Sequence, residues 1–257
     1  MRFATLGSGK RIRPILSVLI SEAAKGKGRS FALDAGCAIE CVHTASLVLD
    51  DLPCMDDANM RRGQSATHKK FGEATAILAA IGLLNRAYGI IAENTDAADE
   101  SKTAALKVLS NAIGSNGMIA GQEIDLHQRS EFRRAPPIED LNWLKTGVLF
   151  VASAHIGAIA AGLDETGVKA LKGFAKSVGL AFQTADDLID QSADPDKIGK
   201  DVGKDVGMPT LVSLSGPEAA RRSCEEHLED AENALAGAGL DRIGLAGLVD
   251  SIFGSKI

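Results

Sequence analysis

Aromatic residues are rare in this chain, 4% of its 257 residues, and alternating β-branched runs are scarce. With Ala and Leu abundant instead, the composition disfavours sheets and favours helices. Cysteine is limited to Cys37, Cys41, Cys54 and Cys224, at spacings that suit no metal site. They read as buried free thiols in a reducing compartment. Positive charge is not in excess. The net charge is −6, which excludes a general nucleic-acid surface but leaves room for local basic clusters. The first residues carry no signal-peptide h-region. The longest mostly apolar run, 148–163, is broken by Ser153 and His155 and is too short to span a bilayer. No internal repeat or interdomain linker interrupts the sequence. What remains, a chain 45% apolar, is long enough for one helical domain over 1–257 with a substantial core. We therefore expect a cytoplasmic protein that is not integral to a membrane.

Four carboxylates fall within eight residues at Asp50-Asp51-Leu52-Pro53-Cys54-Met55-Asp56-Asp57, directly after an apolar run. Adjacent Asp side chains at the end of such a segment repel each other and lose hydration together, which is costly unless a cation sits between them. Oxygen-only donors point to a hard ion such as Mg²⁺, held by a few carboxylates and by substrate phosphates. On an unbroken helix Asp50 and Asp56 would face different sides, at about 100° per residue. Pro53 bends or ends the helix, so Asp56 is expected to swing back toward Asp50. An isolated Asp pair would read as a solvated helix end, but a second cluster lies downstream. On a helix over 165–190, Gly179, Gln183, Asp186, Asp187 and Asp190 recur at i, i+4, i+7, i+8 and i+11 along one stripe. Phe174, Val178, Ala181, Phe182 and Leu188 fill much of the remaining circumference. Such a stripe should line an internal wet cavity.

Cations are interleaved with these carboxylates. Gly7-Ser8-Gly9 runs into Lys10-Arg11-Ile12-Arg13-Pro14, with Pro14 in the first turn of a helix that stops at Gly26-Lys27-Gly28. Three cations beside a glycine turn suit a diphosphate; taken alone, a solvated basic patch is the simpler reading. His43 lies seven residues before Asp50 on a helix over 30–52, hence on the same side, and is a candidate donor to a phosphate. Arg61 and Arg62, ahead of Gly63, suit bidentate phosphate contacts or neutralisation of Asp56 and Asp57. Further helices are expected over 73–92, over 101–128 with a break near 114–117, from 138 onward with Lys145-Thr146 midway, over 217–236 and over 240–257. The glycine-punctuated stretch 194–207 suits a flap.

These pieces stand in the order found in one family. Gly9-Lys10-Arg11-Ile12-Arg13-Pro14, the DDxxxxD pattern from Asp50 with its preceding His43, Arg61-Arg62-Gly63, Gly121-Gln122, Lys145-Thr146, and Phe182-Gln183 through Asp190 follow one another. Over nearly its whole length the chain resembles the trans-polyprenyl diphosphate synthases, and among them the short-chain, bacterial-type geranylgeranyl diphosphate synthases. The resemblance implies an all-α fold, an isoprenoid synthase type bundle of long helices around a deep central cavity, usually in a homodimer. It implies condensation of isopentenyl diphosphate with an allylic diphosphate such as farnesyl diphosphate, through ionisation, condensation and elimination. It implies three Mg²⁺ ions, with Asp50, Asp56 and Asp186 as main ligands and Asp51, Asp187 and Asp190 assisting. Arg61, Lys145, Gln183 and Lys200 would hold the allylic diphosphate, and Lys10, Arg13, His43 and Arg62 the isopentenyl diphosphate. The Thr146 and Gln183 oxygens would ease the carbocation. Ala45, the fifth residue before Asp50, and Ser46 are small where bulky aromatics often mark farnesyl-length enzymes, which implies a geranylgeranyl product.

Ser8 stands where the family commonly has Gly, and Met208 where many members carry Lys. Nine residues precede Lys10, where relatives usually have an additional N-terminal helix or more, so we expect the sequence to be incomplete at this end. Other readings are a farnesyl or longer-chain synthase, a class I terpene cyclase and a noncatalytic synthase subunit. Cyclases normally carry an Asn/Ser/Glu second motif and such subunits commonly lose one Asp motif; here both Asp clusters stand.

Overall fold

The computed structural model describes residues 1–128, 143–192, 211–236 and 239–254. A short α1 (Arg2–Leu6) precedes α2 (Ile12–Ala23) and the long α3 (Arg29–Asp50). A two-stranded hairpin, β1 (Met60–Arg61) and β2 (Gln64–Ser65), leads through α4 (Thr67–Phe71) to α5 (Glu73–Ala92), α6 (Asp99–Ile113) and α7 (Met118–Gln128). A π-helical turn, Trp143–Gly147, runs directly into α8 (Val148–Ala161) and is followed by α9 (Glu165–Ser192), α10 (Leu211–Ser215), α11 (Pro217–Ala236) and α12 (Ile243–Phe253). The all-α expectation holds. The helices expected over 73–92 and 217–236 occupy those residues, and the break near 114–117 separates α6 from α7. The hairpin and the two short helices α1 and α4 carry too few residues for a periodic signal.

α8 is the axis of the bundle. It is apolar all round, as a helix enclosed by neighbours must be. One side, Phe150, Ala154 and Ala158, packs with Leu16 and Ile20 of α2, Phe174 and Val178 of α9, and residues of α11 and α12. The other side, Leu149, Ala152 and Ile156, packs with Ile39 and Val42 of α3 and Leu109 of α6. The longest apolar run of the sequence is therefore core. Helices α3 and α5 are, by length and composition alone, long and apolar enough to cross a membrane. They pack on each other through Ala45, Val48 and Leu52 against Ala76, Ala80 and Leu83.

All four cysteines are free, but the expectation that they are buried holds only for Cys224. Cys41 is half-buried, and Cys37 and Cys54 are exposed, one on the outer face of α3 and one in the turn beyond it.

Candidate active site

The acidic wall begins where α3 ends. Pro53 follows the C-terminal residue Asp51, and the chain turns back on itself: the Asp56 N–H donates to the Asp50 carbonyl at 2.8 Å and the Ala58 N–H to the Asp51 carbonyl at 3.1 Å. That return places Asp56 beside Asp50, as the proline implied. The two adjacent carboxylates then differ. Asp50 is half-buried, whereas Asp51 is only 2% exposed and accepts at Oδ1 from Arg61 Nε (2.8 Å) and Nη2 (2.5 Å). Burial pushes the Asp51 carboxyl up, with Arg61 opposing. Burial likewise works against the Arg61 charge, but the bond to Asp51 and the charges of Asp50 and Asp56 outweigh it and raise its pKa. Asp51 and Arg61 thus occupy one another, and Arg61 sits within the field of both other carboxylates.

The hairpin presents the second arginine. Met60 pairs with Ser65 and Arg61 with Gln64, leaving Arg62-Gly63 as a two-residue loop with φ of 54° and 75°. Both residues are left-handed, the type I′ geometry that matches strand twist. Glycine takes such a φ freely; Arg62 is strained there, as residues at binding sites often are. Its guanidinium lies against Gly9, where a Cβ would meet Cζ at 3.1 Å, and its carbonyl accepts from Ser8 Oγ at 2.8 Å. The serine in place of the usual glycine therefore ties the Gly7–Gly9 turn to the hairpin. Arg62 Nη2 is 3.4 Å from His43 Nε2. A guanidinium only donates, so Nε2 accepts and the neutral ring carries its proton on Nδ1. Burial, with Arg13 and the other arginines adding to it, holds His43 well below the usual histidine value.

Lys10 and Arg13 face an aromatic shelf. Lys10 Nζ is 5.4 Å from the Phe182 ring centre and Arg13 Cζ 4.8 Å from that of Phe150, while the two rings lie 5.6 Å apart, tilted by 44°. Phe182 belongs to α9, so this shelf joins the basic loop to the helix bearing the second acidic cluster. Arg13 is buried with no partner for its Nε. Burial lowers its pKa to about 10, with Glu40 and Asp186 pulling the other way. A buried guanidinium with unused donors is poised to take an anion.

On α9, Gln183 Nε2 donates to Asp187 Oδ1 at 2.9 Å, and Gln183, Asp186 and Asp187 are half-buried, as the polar stripe requires. Gly179 begins that stripe because a backbone lies against it: a Cβ there would come within 3.2 Å of Gly147 Cα. The π-helical turn bearing Lys145 and Thr146 is thereby seated on α9 four residues before Gln183. π-Turns are frequent at functional sites. On α7, Gln122 Nε2 is buried without a partner. The side chains of Lys145, Thr146 and Asp190, and all of Lys200, Met208 and the 194–207 stretch, lie outside the described residues.

Ala45 is fully buried in the α3–α5 seam, and Ser46, half-buried, donates through Oγ to the His43 carbonyl at 2.9 Å. Among the described residues, no three His, Cys, Asp or Glu side chains form a group that could hold a metal ion unaided. Oxygen-only donors in pairs, Asp50 with Asp56 and Asp186 with Asp187, fit an ion that completes its shell with substrate oxygens.

Sequence reasoning missed Glu40, Phe150 and the working role of Arg11. Glu40 had a signal: it is a lone carboxylate in the apolar stretch of α3, one turn before His43. Phe150 had none beyond its apolar neighbours.

A bundle of long helices that gathers a group of cations beside the carboxylates at the end of α3 and on α9 has the architecture of the isoprenoid synthases. The chain belongs to the polyprenyl synthetase family, whose profile matches residues 2–235. Among curated proteins it is 45% identical to a geranylgeranyl diphosphate synthase of Pseudescherichia vulneris, covering 93% of this chain and 77% of that protein. It is 35% identical to a farnesyl diphosphate synthase of Bacillus subtilis, covering 98% and 86% respectively. Among solved structures, a geranyltransferase from Helicobacter pylori complexed with magnesium and isoprenyl diphosphate superposes with a TM-score of 0.87 at 30% identity, covering 98% of this chain and 86% of that one.

Proposed function

We propose that this prenyltransferase joins isopentenyl diphosphate to an allylic diphosphate, farnesyl diphosphate by preference, to give geranylgeranyl diphosphate. The observation that carries the reading is the division of the site. A basic subsite (Lys10, Arg13, His43, Arg62) lies within the field of Asp186 on α9, while Asp50 and Asp56 are brought together at the end of α3 beside Arg61. Two diphosphates need two such holders: one bound by protein cations alone, the other through metal.

Asp50, Asp56, Asp186, Asp187 and Asp190 would hold Mg²⁺, in our reading three ions, with Asp51 orienting Arg61 beside them. Bound Mg²⁺ would stabilise the leaving diphosphate as the allylic C–O bond breaks. Arg61, Lys145, Gln183 and Lys200 orient that group, and Thr146 and Gln183 direct oxygens at the cation left behind. The double bond of isopentenyl diphosphate, fixed by its own diphosphate in the basic cage, attacks that cation. Loss of a proton to the departed diphosphate completes the step. The apolar interior of α3 and α8 excludes water that would capture the cation.

Participation of helices from both ends of the chain supports reading 1–257 as one domain. Placement of Glu40, His43 and Asp50 on α3 supports a core helix and a cytoplasmic protein. Exposed Ile77, Leu78 and Ile81 on one face of α5 support a homodimer seam. A second reading, a farnesyl-length product, is favoured by one observation: Ala45 packs against α5.

Incorporation of isopentenyl diphosphate into an allylic acceptor tests the proposal. It should require Mg²⁺, and Asp50→Asn should lower turnover by about 100-fold, the loss typical of one electrostatic stabiliser. Equal turnover in EDTA would remove the metal from the account.

A further inference from the structure

Arg11 lies inside the basic loop but points away from its cavity face. Its Nη1 donates to Glu40 Oε1 at 2.6 Å, and its Nη2 donates to the carbonyls of Thr5 (2.7 Å) and Gly7 (2.5 Å). It also precedes α2 with φ of 51°, a left-handed conformation that is unfavourable for a residue bearing a β-carbon. A guanidinium fork bonded to two carbonyls and a carboxylate over-determines that conformation. The consequence is directional. The turn at Arg11 sends Lys10 outward over Phe182 and Arg13 inward onto Phe150.

Glu40 works on the same group of cations from α3. It is 6% exposed, one helical turn before His43, and accepts from Arg11. Its charge also opposes desolvation at Arg13 and at Arg62, in each case as the leading favourable interaction. One buried carboxylate thus bonds one guanidinium and lies within the field of two more. Four cations (Lys10, Arg11, Arg13, Arg62) less Glu40 leave three positive charges for an incoming diphosphate.

We propose that Arg11 and Glu40 are a positioning pair for the basic diphosphate subsite, setting the affinity of the isopentenyl substrate without touching it. This rests on the two-subsite reading above. Loss of the pair should free the Gly7–Gly9 turn and spread the three arginines, while leaving the metal-bound allylic subsite in place.

The test is calorimetric titration of inorganic diphosphate into EDTA-treated protein, where only the basic subsite can bind, paired with steady-state kinetics in Mg²⁺. Glu40→Gln should weaken metal-free binding and raise the KM for isopentenyl diphosphate by about tenfold or more, the range for a charged hydrogen bond. The KM for the allylic substrate should stay within about twofold. Arg11→Lys, which keeps the charge but not the fork, should show the same split and serves where Glu40→Gln does not fold. Unchanged or tighter diphosphate binding in a folded variant would overturn the proposal. So would equal rises in both KM values, which mark a merely structural role. Wild-type protein that binds diphosphate but transfers no prenyl group would sink the functional reading instead, and the binding comparison would still decide the role of the pair.

Discussion

His43 shows how much one side chain depends on its surroundings. From its spacing it was a candidate phosphate donor, and the structure adds its protonation state. Nε2 accepts from Arg62 and burial keeps the ring neutral. The folded-state pKa lies below the unfolded value of about 6.5. Its contribution to stability is therefore complete above pH 6.5 and is lost as pH falls toward the folded pKa, because the unfolded chain binds the proton first. Between pH 7.5 and 5.5, wild type should lose stability by up to about 1.4 kcal/mol per pH unit from this group. His43→Gln should lose less over the same interval, read by thermal denaturation. Parallel curves for the two proteins would mean that His43 is not held neutral.

The same scale shows what sequence can carry. Asp50, Asp56, Arg62 and Arg13 were legible because each sits in a local pattern: a proline-broken acid run, an Arg-Arg-Gly, a glycine turn before a helix. The capture of Asp51 by Arg61 was not, since ten residues separate them and the hairpin between is too short to announce itself. Glu40 stood out only as a lone carboxylate in an apolar stretch, and its partner Arg11, 29 residues earlier, had no local signal.

Among the elements, the π-helical turn at Trp143–Gly147 is the most informative. Periodicity extends a helix through it, and no residue pattern marks the extra residue per turn. Its cause is tertiary. Gly147 and Gly179 let the turn and α9 approach, and the Trp143 ring fills the space that a Cβ on Gly147 would enter, at 2.5 Å from Cε3. Replacing Gly147 with Val should push the ring and the turn off α9, moving Lys145 and Thr146 out of register with Gln183. A displacement of this kind costs about 100-fold in rate. We expect a fall of that order in kcat with far-UV circular dichroism unchanged. Wild-type kcat in this variant would show that the turn's seat on α9 does not place its side chains.

Over the described residues, the order of the longer helices was readable because amphipathic periodicity and glycine or proline stops are local, whereas the five-residue α1 and α4 were too short to be read. Which helix lies at the centre was hinted at by α8, apolar on every side. Among the described residues, Ile77, Leu78 and Ile81 form an exposed apolar face on α5. Ile81→Lys should convert the proposed dimer to a monomer in light scattering, since a Lys buried unpaired at a seam is strongly unfavourable. A monomeric wild type, or a variant that stays dimeric, would place the subunit contact elsewhere.

The central claim is that this arrangement extends an allylic chain by one five-carbon unit. Mass spectrometry of the products formed from isopentenyl and farnesyl diphosphates, with Mg²⁺ and with EDTA, tests it most directly. The account predicts geranylgeranyl diphosphate as the end product in Mg²⁺ and unreacted substrates in EDTA. Free diphosphate with a cyclic hydrocarbon, or no product from a folded, Mg²⁺-loaded protein, would contradict it.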